Sequence, residues 1–328
     1  MKKLLPILLI GCVLLGGCDS STPNSSSTNM GESLGQNTTR DSENVKFKYN
    51  QPQNETLPVD VYNYANAEVS MESYLNLFSG KPINEKETFP SGFRETYTFG
   101  DESGAILNRD GILQSVDYNT SQGFSYLYIE YDTETPDEIK EFDFISRKEI
   151  SEQLSGTVKE LFGMEIKIKI DAVSAERFSS DVDAHIKAAG ELDDTPPTAD
   201  KYGTPDDYYL VSFAQTVDGV PVDGVCGNAV FTSKGMELLS VYTPLKVTEK
   251  GAASGDFINL DSAEKYLKEK YDLLFLNDPV NVESAELTYI IYEKKLTPAW
   301  KFTFDNGNSE YYDAYTGREI IFYAGEGA

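Results

Sequence analysis

Hydrophobic residues recur with helical spacing in residues 146–163, which carry the clearest helix signal in the chain. Ser146 and Glu149 have the spacing of a capping box, and Gly163 can end the helix. The apolar residues that share one helical face are Ile150, Leu154, Val158, Leu161 and Phe162. The pattern therefore predicts an amphipathic helix with defined ends.

Other segments carry a weaker helical pattern. Residues 260–275 combine apolar periodicity with Asp261 and Glu264, which have the capping-box spacing. Residues 68–78 predict a short helix, and a further helix is expected around 180–190 in an otherwise polar region. Each of the segments 146–163 and 260–275 is followed by a β-rich stretch, so helices and strands alternate along the chain.

Strand patterns fill the stretches between the helices. Residues 164–173 alternate strictly between apolar and polar side chains, as a half-buried strand does. Residues 207–224 predict two strands joined at Asp218-Gly219, and residues 285–312 predict two strands and a hairpin at Asn306-Gly307. Tyrosine pairs such as Tyr208-Tyr209 place neighbours on opposite faces of a strand, so we expect one member of each pair to be exposed or packed at an edge.

Three stretches resemble one another when they are aligned on a glycine. Each has an apolar or aromatic approach, a polar corner, a glycine and a second β-rich run, which predicts strand–turn–strand because a tight hairpin needs a residue at positive φ. The stretches are 105–118, 229–242 and 311–323, and the turn glycines are Gly111, Gly235 and Gly317.

Asp313 lies within the third stretch and could be a catalytic acid, a metal ligand or the corner of a hairpin. When Gly317 is aligned with Gly235, Asp313 occupies the position of Phe231. A residue type that the parallel position lacks is a poor candidate for chemistry shared by the repeat. We therefore predict a local role, in which Asp313 accepts backbone N–H bonds before Thr316 and Gly317.

The order of these elements predicts an α+β fold class made of repeated modules, each with one helix packed on an antiparallel β-sheet. A lipoprotein signal and a flexible tether precede the modules. The predicted divisions are a signal peptide at 1–17, a Ser/Thr/Asn-rich tether at 18–55, an α+β region at 56–141 that could be a degenerate repeat, a first module at 142–255 with a polar insertion at 174–206, and a second module at 256–328.

The first residues predict export and lipidation. Lys2 and Lys3 precede an apolar run that ends in Leu15-Gly16-Gly17-Cys18. An ordinary secretory signal is one interpretation, but Leu-Gly-Gly-Cys resembles the lipobox of bacterial lipoproteins, whose cysteine is acylated. We expect Cys18 to carry the lipid and to hold the protein at the extracytoplasmic face of a cell membrane. A Gram-positive envelope is the working hypothesis, suggested by the length of the tether.

Composition narrows the function classes. With 28 Lys+Arg against 54 Asp+Glu, the net charge is −26, which disfavours nucleic acid as a partner. After loss of the signal and acylation of Cys18, only Cys226 remains as a free thiol, so no intramolecular disulfide is possible. The mature chain must therefore be stabilised by its hydrophobic core.

The residues that carry chemistry form no recognisable catalytic or metal-binding set, and no cofactor is predicted. His185 is the only histidine, which excludes the usual zinc motifs and leaves Cys226 without a good base. Residues 305–310 faintly resemble a calcium loop but predict a hairpin first. Acidic residues are too numerous for any carboxylate pair to be informative. We predict neither catalytic nor metal-binding residues.

The β-rich motifs of the second half resemble the PepSY-like superfamily. They are "FAQTVDGVPVDG" from Phe213, "LDSAEKYL" from Leu260, "LTPAW" from Leu296 and "YYDAYTGREI" from Tyr311. Their order behind a membrane anchor is similar to that of the YycI/YycH regulators of two-component systems, although those regulators are held by a transmembrane helix. The resemblance implies a PepSY-like or cystatin-like fold and a non-catalytic role in binding or restraining a protein.

These observations lead to one main hypothesis and two alternatives. The main hypothesis is a lipid-anchored, extracytoplasmic regulatory protein that is not an enzyme and engages a protein partner, such as a sensor kinase or a protease. The first alternative is a lipoprotein that binds a cationic peptide or a glycan through acidic and aromatic side chains. The second is a hydrolase that uses a pair of carboxylates.

Overall fold

A computed structural model describes residues 42, 44–50, 59–67, 71–76, 81–89, 94–100, 103–110, 113–119, 141–192, 206–252 and 255–321. The helices are α1 (Met71–Asn76), α2 (Arg147–Phe162), α3 (Ala175–Leu192) and α4 (Leu260–Asp272). The strands are β1 (Val45–Phe47), β2 (Tyr62–Asn66), β3 (Ile83–Thr88), β4 (Arg94–Phe99), β5 (Gly104–Asp110), β6 (Leu113–Asn119), β7 (Glu165–Val173), β8 (Tyr208–Val217), β9 (Val220–Thr232), β10 (Gly235–Tyr242), β11 (Leu245–Lys250), β12 (Val280–Tyr292), β13 (Lys295–Phe304), β14 (Ser309–Asp313) and β15 (Glu319–Ile320).

The chain divides into two compact units, and both are discontinuous in sequence. Unit 1 consists of Met1–Leu57, Gly255–Leu287 and Ala299–Ile321. Unit 2 consists of Pro58–Ser254, Thr288–Pro298 and Phe322–Ala328. The divisions after Leu287 and Pro298 fall inside strands β12 and β13, so these two strands contribute residues to each unit.

Unit 2 is built on a large mixed β-sheet. Eight strands pair antiparallel in the order β7, β8, β9, β10, β6, β5, β4, β3. Further pairing joins β2 to β11 and to the start of β13, and Tyr289 of β12 lies parallel to Val222 of β9. Because hydrogen bonds to neighbours on both sides satisfy the backbone of the interior strands, the sheet is the frame on which the helices pack.

Helices cover both faces of this sheet. Ile150, Leu154 and Val158 of α2 are fully buried in a core that includes Tyr209. Phe178 and Val182 of α3 are buried with Tyr208 and other residues in a separate core. Tyr208 and Tyr209 therefore point to opposite faces as predicted, but both are fully buried, because each face has its own helix.

The predicted ends of α2 are confirmed. The Ser146 Oγ accepts the Glu149 N–H at 3.2 Å, and the Glu149 carboxylate accepts the Ser146 N–H at 2.9 Å, which completes the capping box. Gly163 ends the helix at φ 68°. A cap of this kind contributes about 1 kcal/mol to stability.

Unit 1 places α4 beside short strands. β1 runs parallel to the start of β12, and β14 pairs antiparallel with β13 and β15. Ala263 and Leu267 of α4 are buried, as is Trp300, whose Nε1–H donates to the Ile258 carbonyl at 2.8 Å. The predicted cap of this helix was wrong, since Asn259 is the N-cap.

The expectation of repeated modules, each with one helix on its own antiparallel sheet, is wrong. The structure is mostly a large mixed β-sheet, and the strands of unit 2 join across the predicted module boundaries. Leu239 of β10 pairs with Tyr118 of β6, which had been assigned to a different region. The outer side of each hairpin strand carries backbone N–H and C=O groups that are unpaired within the hairpin. Strands that are distant in the sequence pair with these groups, because an open edge leaves them unsatisfied.

Gly227 on β9 shows how tightly the sheet is packed. A Cβ atom at this position would collide with the Phe213 ring and with the Ser240 carbonyl oxygen. The Phe213 side chain is part of the core under α2, and Ser240 belongs to the neighbouring strand β10. Gly227 thus leaves space for a core aromatic ring rather than supplying a turn.

We expect Gly227→Ala to destabilise the protein by about 1–3 kcal/mol, because both neighbours would have to move in a close-packed core. The free energy of unfolding from chemical denaturation checks this. Gly156→Ala is the matched control, since a Cβ on this exposed position of α2 meets no neighbour within 4 Å. It should stabilise by about 0.5–1 kcal/mol through helix propensity, and equal effects of the two substitutions would contradict our account.

Candidate functional site

The predicted site residues lie partly outside the described residues. Cys18 and Gly111 are among those outside, so their predicted roles remain predictions. Gly235 begins β10 with φ 101°, and Gly317 has φ 67° in the turn between β14 and β15. A Cβ on Gly317 would also collide with the ring of Tyr266, so the glycine allows α4 to pack closely against this turn.

Asp313 forms the corner between β14 and β15. Its Oδ1 accepts the N–H groups of Tyr315 and Thr316, both at 2.8 Å. Its carbonyl accepts the Gly317 N–H and its own N–H donates to the Arg318 carbonyl, each at 2.9 Å. This geometry is that of an acid folded back on its own turn, which uses one carboxylate oxygen for local backbone bonds.

In the turn between β13 and β14, side-chain oxygen atoms of Asp305 and Asn306 accept hydrogen bonds. Asp305 Oδ2 accepts Asn281 Nδ2 at 2.7 Å, and Asn306 Oδ1 accepts the Asn308 N–H at 2.9 Å. Within the part of the chain that the structure describes, no group of three or more His, Cys, Asp or Glu side chains is placed to hold a metal ion. Cys226 lies half-buried on β9, opposite Ala214 of β8.

The strongest polar cluster of unit 1 joins α4 to strands β14 and β15. The Lys270 ammonium donates to Glu310 at 2.8 Å and to Glu319 at 2.6 Å. The hydroxyls of Tyr271 and Tyr312 donate to Glu310 at 2.8 Å and 3.2 Å. One carboxylate therefore receives three donors, and we call these five residues the lysine–glutamate cluster.

This environment changes the ionisation of its members. Burial raises the pKa of Tyr271 and of Tyr312, and the nearby Glu310 charge raises both pKa values further. Burial alone would lower the pKa of Lys270, but hydrogen bonds and charges from Glu310 and Glu319 outweigh it and raise the pKa. The cluster therefore favours neutral tyrosines and a protonated lysine. At neutral pH these protonation states fit a structural role, in which the cluster joins α4 to the strands, better than a role in proton transfer.

A groove of about 300 Å³ lies beside this cluster in unit 1. Tyr271, Phe304 and Glu310 line it, together with the polar residues Asp305, Asn306, Asn308 and Ser309. The volume is at the lower end for small-molecule sites, and the lining mixes rings with hydrogen-bonding groups. The sequence of residues 305–310 predicts a turn, but no sequence pattern places Lys270 or Glu319 beside it.

Strand β3 is a second surface feature, in unit 2. All six of its residues are exposed, and Ile83 at its start is 50% exposed. In the described part of the chain β3 pairs with β4 alone, so it ends the strand order of this sheet. The pairing register shifts between Ile83 and Glu85, and the strand carries charges at Glu85, Lys86 and Glu87.

Comparisons with known proteins concern the fold alone. No protein-family model matches this sequence, and a search of curated proteins finds no match. The structure is similar to the crystal structure of an uncharacterized protein from Eubacterium rectale, with a TM-score of 0.54 and 16% sequence identity. The similarity covers 81% of this chain and 86% of that chain. None of the helices within the described ranges has the length and apolar character needed to span a bilayer.

We expect the stability of the protein to fall as the pH rises above about 10, which is the ordinary range of tyrosine and lysine. The pKa values of Lys270, Tyr271 and Tyr312 are raised in the folded state, so their contribution is complete below the unfolded values and is lost as the pH rises through the folded ones. Denaturation at a series of pH values measures this dependence.

Glu310→Gln tests the origin of that dependence. We expect it to lower stability at neutral pH and to weaken the alkaline fall, because the charge that favours the protonated partners is gone. Glu283→Gln, at an exposed position of β12 in the same unit, is the control and should leave both unchanged. An unchanged alkaline slope in Glu310→Gln would show that the Glu310 charge does not control it.

Proposed function

We propose that this protein is a lipid-anchored, extracytoplasmic binding protein that engages a protein partner and regulates it without catalysing a reaction. The resemblance of its β-rich motifs to the PepSY-like superfamily and to the YycI/YycH regulators suggests a sensor kinase or a protease as the kind of partner. The sequence Leu15-Gly16-Gly17-Cys18 after a short apolar run supports acylation of Cys18 and anchoring in a membrane.

The exposed strand β3 is the observation that carries the partner-binding proposal. A strand that ends a sheet presents a row of backbone N–H and C=O groups, and an extended segment of another protein can pair with them. The charged residues Glu85, Lys86 and Glu87 and the register shift at the start of β3 hinder pairing between two copies of this chain. The same charges would select a partner segment of complementary charge.

The ladder between β3 and β4 identifies which backbone groups are available. The Phe89 N–H donates to the Arg94 carbonyl at 3.0 Å, so Phe89 directs its hydrogen bonds toward β4. Since this direction alternates along an antiparallel pair, Thr88 directs its N–H away from β4. Thr88 is exposed, and its N–H is thus a donor that a partner strand could use.

We expect Thr88→Pro to weaken partner binding by roughly tenfold, because it removes one outward backbone donor and blocks close approach of a strand. A photoreactive amino acid at Asn84, in the full-length chain in intact cells, would report this as loss of a defined crosslinked product. Thr88→Val keeps the donor and the β-branched shape, and should leave the product in place.

The crosslinking experiment needs a control position at which only nonspecific products form. Ser233 is exposed in the turn between β9 and β10, and a photoreactive residue there gives the background set of products. Identical products from positions 84 and 233, or a product at 84 that survives Thr88→Pro, would argue against binding through β3. Circular dichroism and a thermal melt of Thr88→Pro show whether the sheet has remained folded.

The groove of unit 1 favours a second candidate, in which the protein binds a glycan or a cationic peptide. Amide, hydroxyl and carboxylate groups beside the half-buried Tyr271 are a combination that can hold sugar hydroxyls and a pyranose face. A cationic peptide could instead approach Asp305 and Glu310, in keeping with the strongly acidic composition.

If the groove binds a glycan, soluble cell-wall oligosaccharides should raise the melting temperature of the protein in a concentration-dependent way, since a ligand that binds only the native state stabilises it. Asn308→Ala, in the groove, should reduce this shift. Asn277→Ala removes an exposed amide elsewhere in unit 1 and should not. A shift of equal size in both variants would place the ligand outside the groove.

A further inference from the structure

Three consecutive large apolar residues are exposed where α4 ends. Leu273 is 82% exposed, Leu274 is 44% exposed and Phe275 is fully exposed at 107%. We call residues 273–275 the apolar tip. Scattered exposed apolar residues are ordinary on protein surfaces, but a contiguous group of this kind marks a surface that contacts something apolar.

Backbone hydrogen bonds hold the apolar tip in place. The Leu274 N–H donates to the Tyr271 carbonyl at 3.0 Å and continues the last turn of the helix. Asn44 directly precedes β1, and its Nδ2 donates to the carbonyls of Tyr271 at 3.0 Å and Leu274 at 3.3 Å. These bonds fix the backbone at the last turn of the helix, where the side chains of the tip are exposed.

Ser42, the first described residue of unit 1, lies at this same place. Ser42 Oγ donates to Asp272 Oδ1 at 2.9 Å, next to the first residue of the tip. The Val280 N–H donates to the Asn44 carbonyl at 2.9 Å, which begins the parallel pairing of β1 with β12. The described part of unit 1 therefore begins at Ser42, beside the apolar tip.

The distance along the chain to the expected lipid site is short. Residues 19–41 separate Cys18 from Ser42, and the Ser/Thr/Asn-rich tether predicted from the sequence would span roughly 25 Å on average over that length. Such a tether keeps the side of unit 1 that carries Ser42 and the tip close to the membrane in which the lipid is embedded.

We propose that the apolar tip inserts into the interface of the membrane that holds the lipid anchor, and so fixes the orientation of unit 1 on the bilayer. This inference rests on the proposed acylation of Cys18. Leucine and aromatic side chains are the ones that enter the boundary between headgroups and acyl chains. Asp272 and Asp278 flank the tip, so the contact is apolar and requires no anionic lipid.

Tryptophan fluorescence in vesicles tests the proposal. The full-length acylated protein carrying Phe275→Trp is reconstituted into phosphatidylcholine vesicles whose acyl chains are brominated. The natural Trp300 is fully buried and supplies a constant background. We expect the added emission to shift to the blue and to be quenched by bromine, with little dependence on salt.

Ser262→Trp is the matched control, because Ser262 is exposed in the first turn of α4, roughly 18 Å along the helix from the tip. Quenching at position 275 should be several-fold stronger than at position 262. Replacing Leu273 and Leu274 with Ser in the Phe275→Trp protein should reduce quenching without releasing the protein from the vesicles.

Flotation of the same vesicles separates the two proposals. A protein that fails to float lacks its anchor, and that result overturns the lipid-anchor proposal on which the tip depends. A Phe275→Trp protein that floats while its added tryptophan remains unquenched and red-shifted overturns insertion of the tip alone. Concentration-dependent blue shift without quenching would assign the tip to contact between copies of the chain and would equally overturn insertion.

Discussion

The burial of two adjacent tyrosines organises unit 2. Tyr208 and Tyr209 are neighbours on β8, so their rings must lie on opposite faces of the sheet, and both are fully buried. Tyr208 packs edge-on against Phe178 of α3 at 6.0 Å between ring centres, while the Tyr209 hydroxyl accepts the Phe142 N–H just before α2. A sheet that is apolar on both faces at this point needs a cover on each, and α2 and α3 provide the two covers.

That constraint explains why the sheet is wide. Apolar residues on both faces of β8 and β9 make these strands interior strands, which must be paired on both sides. The pairing extends through β10 to β6 and ends at β3, whose six residues are all exposed. The exposed edge is therefore a consequence of the same arrangement that buries the centre, and it supplies a natural place for a partner to add a strand.

In unit 1, polar contacts connect a helix to the neighbouring strands. The lysine–glutamate cluster ties the last turn of α4 to β14 and β15, and its ionic hydrogen bonds are partly shielded from water, which makes them stronger than surface ion pairs. Directly after this turn, Asn44 fixes the backbone of residues 271–274 and leaves the apolar tip exposed. The end of the helix thus presents apolar side chains beside Ser42.

Much of the local structure could be predicted from sequence. The capping box of α2 depends on residues three positions apart, and the turn at Asp218-Gly219 depends on two residues that accept positive φ. The corner formed by Asp313 is equally local. By contrast, the turn at Glu293-Lys294 also has positive φ at both residues, 47° and 63°, but its sequence lacks the glycine or asparagine that would have signalled it.

Sequence by itself therefore determined the positions of the helices, of many strands and of the tight turns that contain glycine, because each of these depends on neighbours in the chain. Only the tertiary structure decided how the strands join. Pairing of Leu239 with Tyr118 bridges 121 positions in the numbering, and hydrophobic periodicity specifies which face of a strand is buried but not which distant strand lies beside it. For the same reason the sequence predicted separate modules, whereas backbone hydrogen bonding between remote edges produced a continuous mixed sheet.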